Sequence, residues 1–352
     1  MRDGMTVVSA ATNARLADIL QSALDETPVE RADAAQLARA DLTGRRVLFA
    51  VSVDAYGLSE DWLSCLRYLR QNPDALEGSV GAMLIDGETA LDTKSIAREL
   101  AYAASMAGCR FFGKPLVEAT GTLANFDVLA GVRGVDRMTA YRDAAAALTG
   151  RLNIDAVSPV QTPRVLMLHA SDKARSNTLS IGFEIEKRLL AAGCAVETLS
   201  MQEGPLYECY GCSYTACAHF ATQSSCYYGG VLPEKVFPAL GDCDALLMLC
   251  PNYNDAPGAH FLALNNRINA LLLRGAPLNK PLYAVVVSGY SGGDIVARQL
   301  LGGFCLNKGF SLPPRFCLLE TANDPGSALR LPGIADRIDA FARGMLGFLR
   351  GA

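Results

Sequence analysis

From His169 to Leu179 the chain reads His-Ala-Ser-Asp-Lys-Ala-Arg-Ser-Asn-Thr-Leu, which concentrates three hydroxyls, one amide and two cations in one loop. An apolar run, Arg164 to His169, precedes it. A helical pattern follows, with Leu179, Phe183 and Leu190 on one stripe and Ile181, Ile185 and Leu189 beside it. A polar loop that feeds a helix start offers unpaired backbone N–H groups and the positive end of the helix dipole. Ser171, Lys173, Arg175, Ser176, Asn177 and Thr178 are therefore candidate ligands of a phosphate dianion. Ser176 or Asn177 would also serve as a plain N-cap, but a bare cap needs only one of these residues.

Two more polar loops follow apolar runs further along. Pro251-Asn252-Tyr253-Asn254 comes directly after Ala245 to Cys250, and Ser288-Gly289-Tyr290-Ser291-Gly292-Gly293 ends the run Leu282 to Ser288. Glycines at 292 and 293 let backbone N–H groups approach a flat ligand closely. Between the phosphate loop and these loops lie Cys209, Cys212, Cys217 and Cys226, spaced C-x2-C-x4-C-x8-C with His219 among them. The quartet suits a [4Fe–4S] cluster or zinc, or is simply four structural thiols. Cys65, Cys109, Cys194, Cys243, Cys250, Cys305 and Cys317 sit in apolar or isolated contexts and read as small core residues.

The elements that must position these loops are legible after residue 163. Apolar runs at Arg164 to His169, Ala195 to Ser200, Ala245 to Cys250, Leu282 to Ser288 and Arg315 to Leu319 predict strands. Helices are predicted between them, at Asn177 to Ala192, after Cys250 through Leu272, and from about Gly293 to Asn307; Ile334 to Leu349 forms a last one. Near-continuous apolar strands alternating with helices are the mark of a parallel sheet covered on both faces. The predicted class is α/β, with a C-terminal flavodoxin-like, doubly wound, five-stranded parallel sheet over 163–352. Pro159 and Pro163 mark a boundary. The preceding domain, 1–155, reads as α/β with strands at Met5 to Ser9, Arg46 to Val53 and Val80 to Asp86. Its helices are predicted at Glu60 to Arg70, Lys94 to Ala107 and Asp136 to Leu148. Its element order allows a degenerate copy of the same fold, serving as a lid or dimer element.

Gly108-Cys-Arg-Phe-Phe-Gly113-Lys114 imitates a nucleotide-binding P-loop, but Pro115 stands where the hydroxyl ligand of magnesium belongs and cannot donate an N–H. The segment also runs from helix to strand, the wrong order. Arg110, Lys114, Glu118 and Thr120 then read as an internal ion pair or surface turn, or as a wall of a neighbouring site. No G-x-G-x-x-G follows a strand, and three histidines give hydrolase chemistry little material.

Composition sets the outer bounds. The chain has 352 residues, 50% of them hydrophobic, and a net charge of −4, so nucleic acid is not an expected partner. No apolar run approaches the roughly 20 residues of a membrane span. Met1 to Ala11 has no signal-peptide pattern, and with eleven cysteines a cytoplasmic, reducing location is expected.

The loop at Ser171 to Thr178 resembles the S-x-R-x-x-S-N-T loop of the NADPH-dependent FMN reductase family, with Lys173 where that family often has Arg. Pro251-Asn-Tyr253-Asn254 is similar to the family's P-x-Y turn, and Ser288 to Gly293 to its glycine-rich loop. Asn266-Arg267 stands where the family commonly has Asp-Arg. The resemblance covers about 163–325. It implies noncovalent FMN held by its terminal phosphate, with NAD(P)H as co-substrate stacking on the flavin and a small-molecule electron acceptor. It further implies that Pro251, Asn252, Tyr253 and Asn254 meet the edge and face of the ring. Ser288, Gly289, Tyr290, Gly292 and Gly293 would meet its pyrimidine side, with Tyr227 or Tyr228 closing the other face. The resemblance implies a homodimer as well, since relatives commonly build the substrate side of the flavin from both protomers. The iron–sulfur flavoproteins, related to this family, carry a [4Fe–4S] cluster in the loop that here holds Cys209 to Cys226, with tighter cysteine spacing. The alternative function is a flavodoxin-like electron carrier, with or without a cluster, that performs no hydride chemistry.

Overall fold

The computed structural model describes residues 4–24, 28–171, 175–223, 225–273, 275 and 278–351. The chain divides into two compact units, 1–156 and 157–352.

The N-terminal unit runs β1 (Met5–Ala10), α1 (Ala14–Ala23), β2 (Val29–Asp33), β3 (Arg46–Val53), α2 (Glu60–Gln71), β4 (Val80–Gly87), α3 (Thr93–Met106), β5 (Arg110–Ala119), α4 (Asp127–Arg133) and α5 (Arg137–Ile154). All strands pair in parallel, in the order β2-β1-β3-β4-β5. The C-terminal unit runs β6 (Arg164–His169), α6 (Asn177–Ala191), β7 (Ala195–Ser200), α7 (Tyr214–Gln223), α8 (Phe237–Asp242) and β8 (Ala245–Leu249). It continues with α9 (Ala259–Arg267), α10 (Asn269–Leu273), β9 (Leu282–Ser288), α11 (Gly293–Leu300), β10 (Cys317–Thr321) and α12 (Ile334–Arg350). Its sheet is also parallel, in the order β10-β9-β8-β6-β7. Numbered within each unit, both sheets follow 2-1-3-4-5, the flavodoxin-like order. The N-terminal unit is thus a second copy of that topology.

The central strands β3, β4, β8 and β9 are buried almost throughout, which is why their near-continuous apolar runs were readable. Two edge strands were not predicted. In β2 (VERAD) only Ala32 is buried, so the run carries no apolar signal. In β5, Pro115 and the left-handed Lys114 (φ 55°) sit in the run, and the pairing to β4 shifts register between Gly81 and Met83. Proline and irregular pairing are tolerated there because β5 is an edge. Gly108 to Lys114 therefore belongs to a helix-to-strand connection, and three of the four polar groups noted there are tied within this unit, Thr120 by a 2.8 Å bond to Asn125 Oδ1. Arg110 pairs with Asp155, Lys94 with Glu118 at 3.3 Å, and Thr93 donates to Glu118 at 2.8 Å.

Helix α6 packs Leu179, Ile181, Ile185 and Leu189, all fully buried, onto its sheet, and each contributes about 1.5–3 kcal/mol of apolar burial. Gly182 permits the close approach: a Cβ there would lie 2.3 Å from a Leu249 methyl. The helix expected from Gly293 to Asn307 is α-helical only to Leu300 and continues as a π-type turn over Leu301–Lys308. The helix expected through Leu272 breaks at Ile268 into α9 and α10.

Candidate functional site

In a parallel doubly wound sheet the ligand site lies beyond the carboxyl ends of the strands, where the strand order reverses. In the C-terminal unit that point lies between β6 and β8. The loop after β6 begins with His169, 1% exposed, whose Nδ1 accepts from the backbone N–H of Ser171 at 3.3 Å. That bond turns the chain out of the strand. Ser171 is buried, and its Oγ has no partner among the described residues. A buried hydroxyl without a partner costs about 1–3 kcal/mol, so this atom calls for a partner from beyond the described residues.

The other predicted phosphate ligands divide by role. Ser176 is the N-cap of α6, its Oγ accepting from Leu179 N–H at 3.1 Å. The N–H groups of Asn177 and Thr178, in the first turn of α6, have no backbone acceptor among the described residues. The Asn177 side chain is engaged elsewhere. It donates to the carbonyls of Ala322 (3.3 Å) and Asp324 (2.9 Å) and accepts from Ala328 N–H (3.2 Å). Its amide fixes the loop after β10, leaving only its backbone to face a phosphate. Thr178 is buried and Arg175 exposed at the loop's end. Lys173 lies outside the described residues.

The loops after β8 and β9 form one assembly. Asn252 Nδ2 donates to Ser288 Oγ (3.1 Å) and to the Ser291 carbonyl (2.8 Å), while its Oδ1 accepts from Asp255 N–H (2.8 Å). The Pro251–Asn254 turn closes through paired bonds between Tyr253 and Ala256, with Asn254 and Asp255 in left-handed conformation. Gly292 (φ 80°) fits against it so closely that a Cβ would lie 1.9 Å from Asp255 Oδ1. From there Ala322 N–H donates to Ser288 O at 2.9 Å, and Asn177 holds Ala322. One continuous chain of contacts thus joins the α6 start, the loop after β10, the glycine loop and the Pro251 turn. Tyr253 and Tyr290 are exposed at 56% and 83%, open for stacking.

The cysteine segment is held at its root by a residue that the sequence left without a role. Arg267, at the end of α9 and 3% exposed, donates to the carbonyls of Tyr207 (3.2 Å) and Gly229 (2.9 Å), one on each side of the four thiols. Above this clamp Tyr210 stacks on Tyr228 at 4.2 Å, Tyr227 meets Tyr228 edge-on, and Phe220 packs on Tyr227. Tyr228 is therefore occupied within its own loop. Burial first, and then the charges of Cys212, Cys226 and Cys209, push the Cys217 thiol up. Among the described residues no group of three or more His, Cys, Asp or Glu side chains stands in metal-ligating geometry.

Three loops, after β6, β8 and β9, thus bring a capped helix start, a closed turn and a close-packed glycine loop to the carboxyl end of one sheet. Residues 163–324 match the NADPH-dependent FMN reductase family. The resemblance read from the three loops is borne out over that segment, and the domain is of oxidoreductase type. No curated protein matches significantly. Among solved structures, RosB with the bound intermediate 8-demethyl-8-formylriboflavin-5′-phosphate aligns at 13% identity and TM-score 0.45, covering 54% of this chain and 80% of its own. The NAD(P)H:quinone oxidoreductase of Methanothermobacter marburgensis aligns at 14% identity and TM-score 0.37, covering 53% and 95%.

The corresponding edge of the N-terminal unit differs from that of the C-terminal unit. It holds a cavity of about 460 Å³ lined by Thr12, Asn13, Asp54, Glu60, Asp61 and Glu88 among others. Carboxylates occupy the rim where a phosphate would need donors. Arg15, the cation nearest in sequence, is paired with Asp86 at 2.8 Å. That edge is built against a phosphate. No helix among the described residues is long and apolar enough to cross a membrane.

Proposed function

We propose that the C-terminal unit binds FMN through its terminal phosphate and works as an NAD(P)H-dependent oxidoreductase that passes electrons to a small acceptor. The observation that carries this reading is the buried Ser171 hydroxyl, without a partner among the described residues, near the start of α6 in the segment that matches the FMN reductase family. The residues fit the cofactor. Ser171 supplies a preformed donor, Ser176 fixes the helix start, and the backbone of Asn177 and Thr178 gives charge-assisted bonds without moving. When bound, FMN supplies the capacity to take a hydride from NAD(P)H.

The chain's own task is to place and shield that group. Asn252 locks the Pro251–Asn254 turn to Ser288 and Ser291, so both ring-side loops are rigid before any ligand arrives. Gly292 and Gly293 keep side chains away from the flat surface. Tyr253 and Tyr290 offer apolar faces that exclude water.

Ser171→Ala separates this reading from a purely structural one, because the two effects have opposite signs. Removing an unsatisfied buried hydroxyl should leave the apoprotein as stable or more stable, by up to about 1–3 kcal/mol. FMN affinity should fall about tenfold through loss of one charge-assisted bond. Thermal melts of the apoprotein and FMN fluorescence titrations read the two quantities. Unchanged FMN affinity would remove the phosphate assignment.

A further inference from the structure

Seven of the eleven cysteines are buried, Cys217 and Cys226 are half-buried, and Cys209 and Cys212 are exposed; none is in a disulfide. The two thiols that matter most are set by the start of α7. Ser213 Oγ accepts from Ala216 N–H at 3.3 Å, and the Ser213 carbonyl accepts from Cys217 N–H at 2.9 Å. Ser213 is therefore the N-cap of the helix. Cys212 then stands at the position just before the cap, and Cys217 at the fourth helical position. Side chains at those two positions pack against each other across the first turn, the arrangement that apolar pairs use to staple a helix start. Here the pair is two thiols, one exposed and one half-buried.

We propose that Cys212 and Cys217 form a thiol–disulfide exchange site that takes low-molecular-weight disulfides. The exposed Cys212 sulfur, as thiolate, attacks one sulfur of the small disulfide R–S–S–R. A bond forms from Cys212 to that sulfur, the S–S bond of the disulfide breaks, and the first R–S⁻ leaves. Cys217 then gives up its proton and attacks Cys212, expelling the second R–S⁻. The balance is two cysteine thiols plus one disulfide going to one Cys212–Cys217 bridge plus two small thiols, and the small disulfide is the oxidant. An accessible attacking thiol beside a more sheltered resolving thiol is what such exchange requires. The bridge closes the staple covalently. The Arg267 clamp at Tyr207 and Gly229 holds the segment in place at both ends while it forms.

The test uses the reduced full-length protein incubated anaerobically with 2-hydroxyethyl disulfide, quenched with acid and mapped by peptide mass spectrometry. The expected result is a Cys212–Cys217 bridge, with the seven buried cysteines unmodified. In Cys217→Ser the reaction should stop at a mixed disulfide on Cys212, and in Cys212→Ser the bridge should be lost. Thermal melts of both variants check that they are folded, since both substitutions are nearly isosteric. A bridge between any other pair, a mixed disulfide that persists on Cys212 in the unsubstituted protein, or an unmodified Cys212 would overturn the proposal. So would a quartet that resists the reagent because the purified protein carries zinc or iron there.

Discussion

Asp86→Ala is expected to lower the stability of the N-terminal unit by about 3–5 kcal/mol, the range for removing one member of a buried ionic cluster. Asp86 is the second-to-last residue of β4 and is fully buried. Its carboxylate accepts from Arg15 through Nε (2.9 Å) and Nη2 (2.8 Å), from Asn13 Nδ2 (2.8 Å) and from the Tyr141 hydroxyl (3.3 Å). With the carboxylate gone, Arg15 keeps, among the described residues, the carbonyls of Gly87 and Gly121 and no ion pair. The remaining partners, Asn13 and Tyr141, belong to the cap of α1 and to α5, so strain reaches two helices packed on the sheet. Trp62, the chain's one tryptophan, lies in α2 and reports on this unit. Its fluorescence transition should move down by roughly 2 M urea, for a slope of about 2 kcal/mol/M. A shift below about 0.5 M would show that the cluster does not hold the unit together.

Arg267→Met should cost about 3 kcal/mol, because it leaves the carbonyls of Tyr207 and Gly229 without their charged donor. Methionine fills similar space, so packing is largely kept and the loss reports the two hydrogen bonds. The clamp joins the two ends of the segment that carries all four loop cysteines. Limited proteolysis should therefore cut between 208 and 228 in the variant well before it cuts the parent. Equal cleavage rates and an unchanged melting temperature would contradict the clamp.

The C-terminal fold was readable because its central strands are buried on both faces, so composition alone reveals them. Arg164–His169, Ala195–Ser200 and Leu282–Ser288 begin and end as the sequence predicts. The edge strands of the C-terminal sheet were still legible, but those of the N-terminal sheet were not: β2 shows one buried residue and β5 carries a proline, so neither shows an apolar run. The site was legible at the level of loops but not of side chains. Asn177 and Asn252 look like ligand donors in the sequence, yet their amides tie loops together across 145 and 36 residues. Nothing local distinguishes an amide that meets a cofactor from one that meets a distant carbonyl. Arg267 was noticed only as half of a dipeptide, since its partners at Tyr207 and Gly229 are brought to it by the fold. Ser171, by contrast, shows its character only once burial is known.

The central claim is that this chain holds FMN and takes hydride from a nicotinamide cofactor. Anaerobic titration of the FMN-loaded protein with NADPH or NADH, following the flavin's visible absorption, tests it most directly. The account predicts stoichiometric bleaching, one nicotinamide oxidised per FMN. A protein that retains no FMN, or whose flavin is bleached by dithionite and by neither nicotinamide, would contradict it.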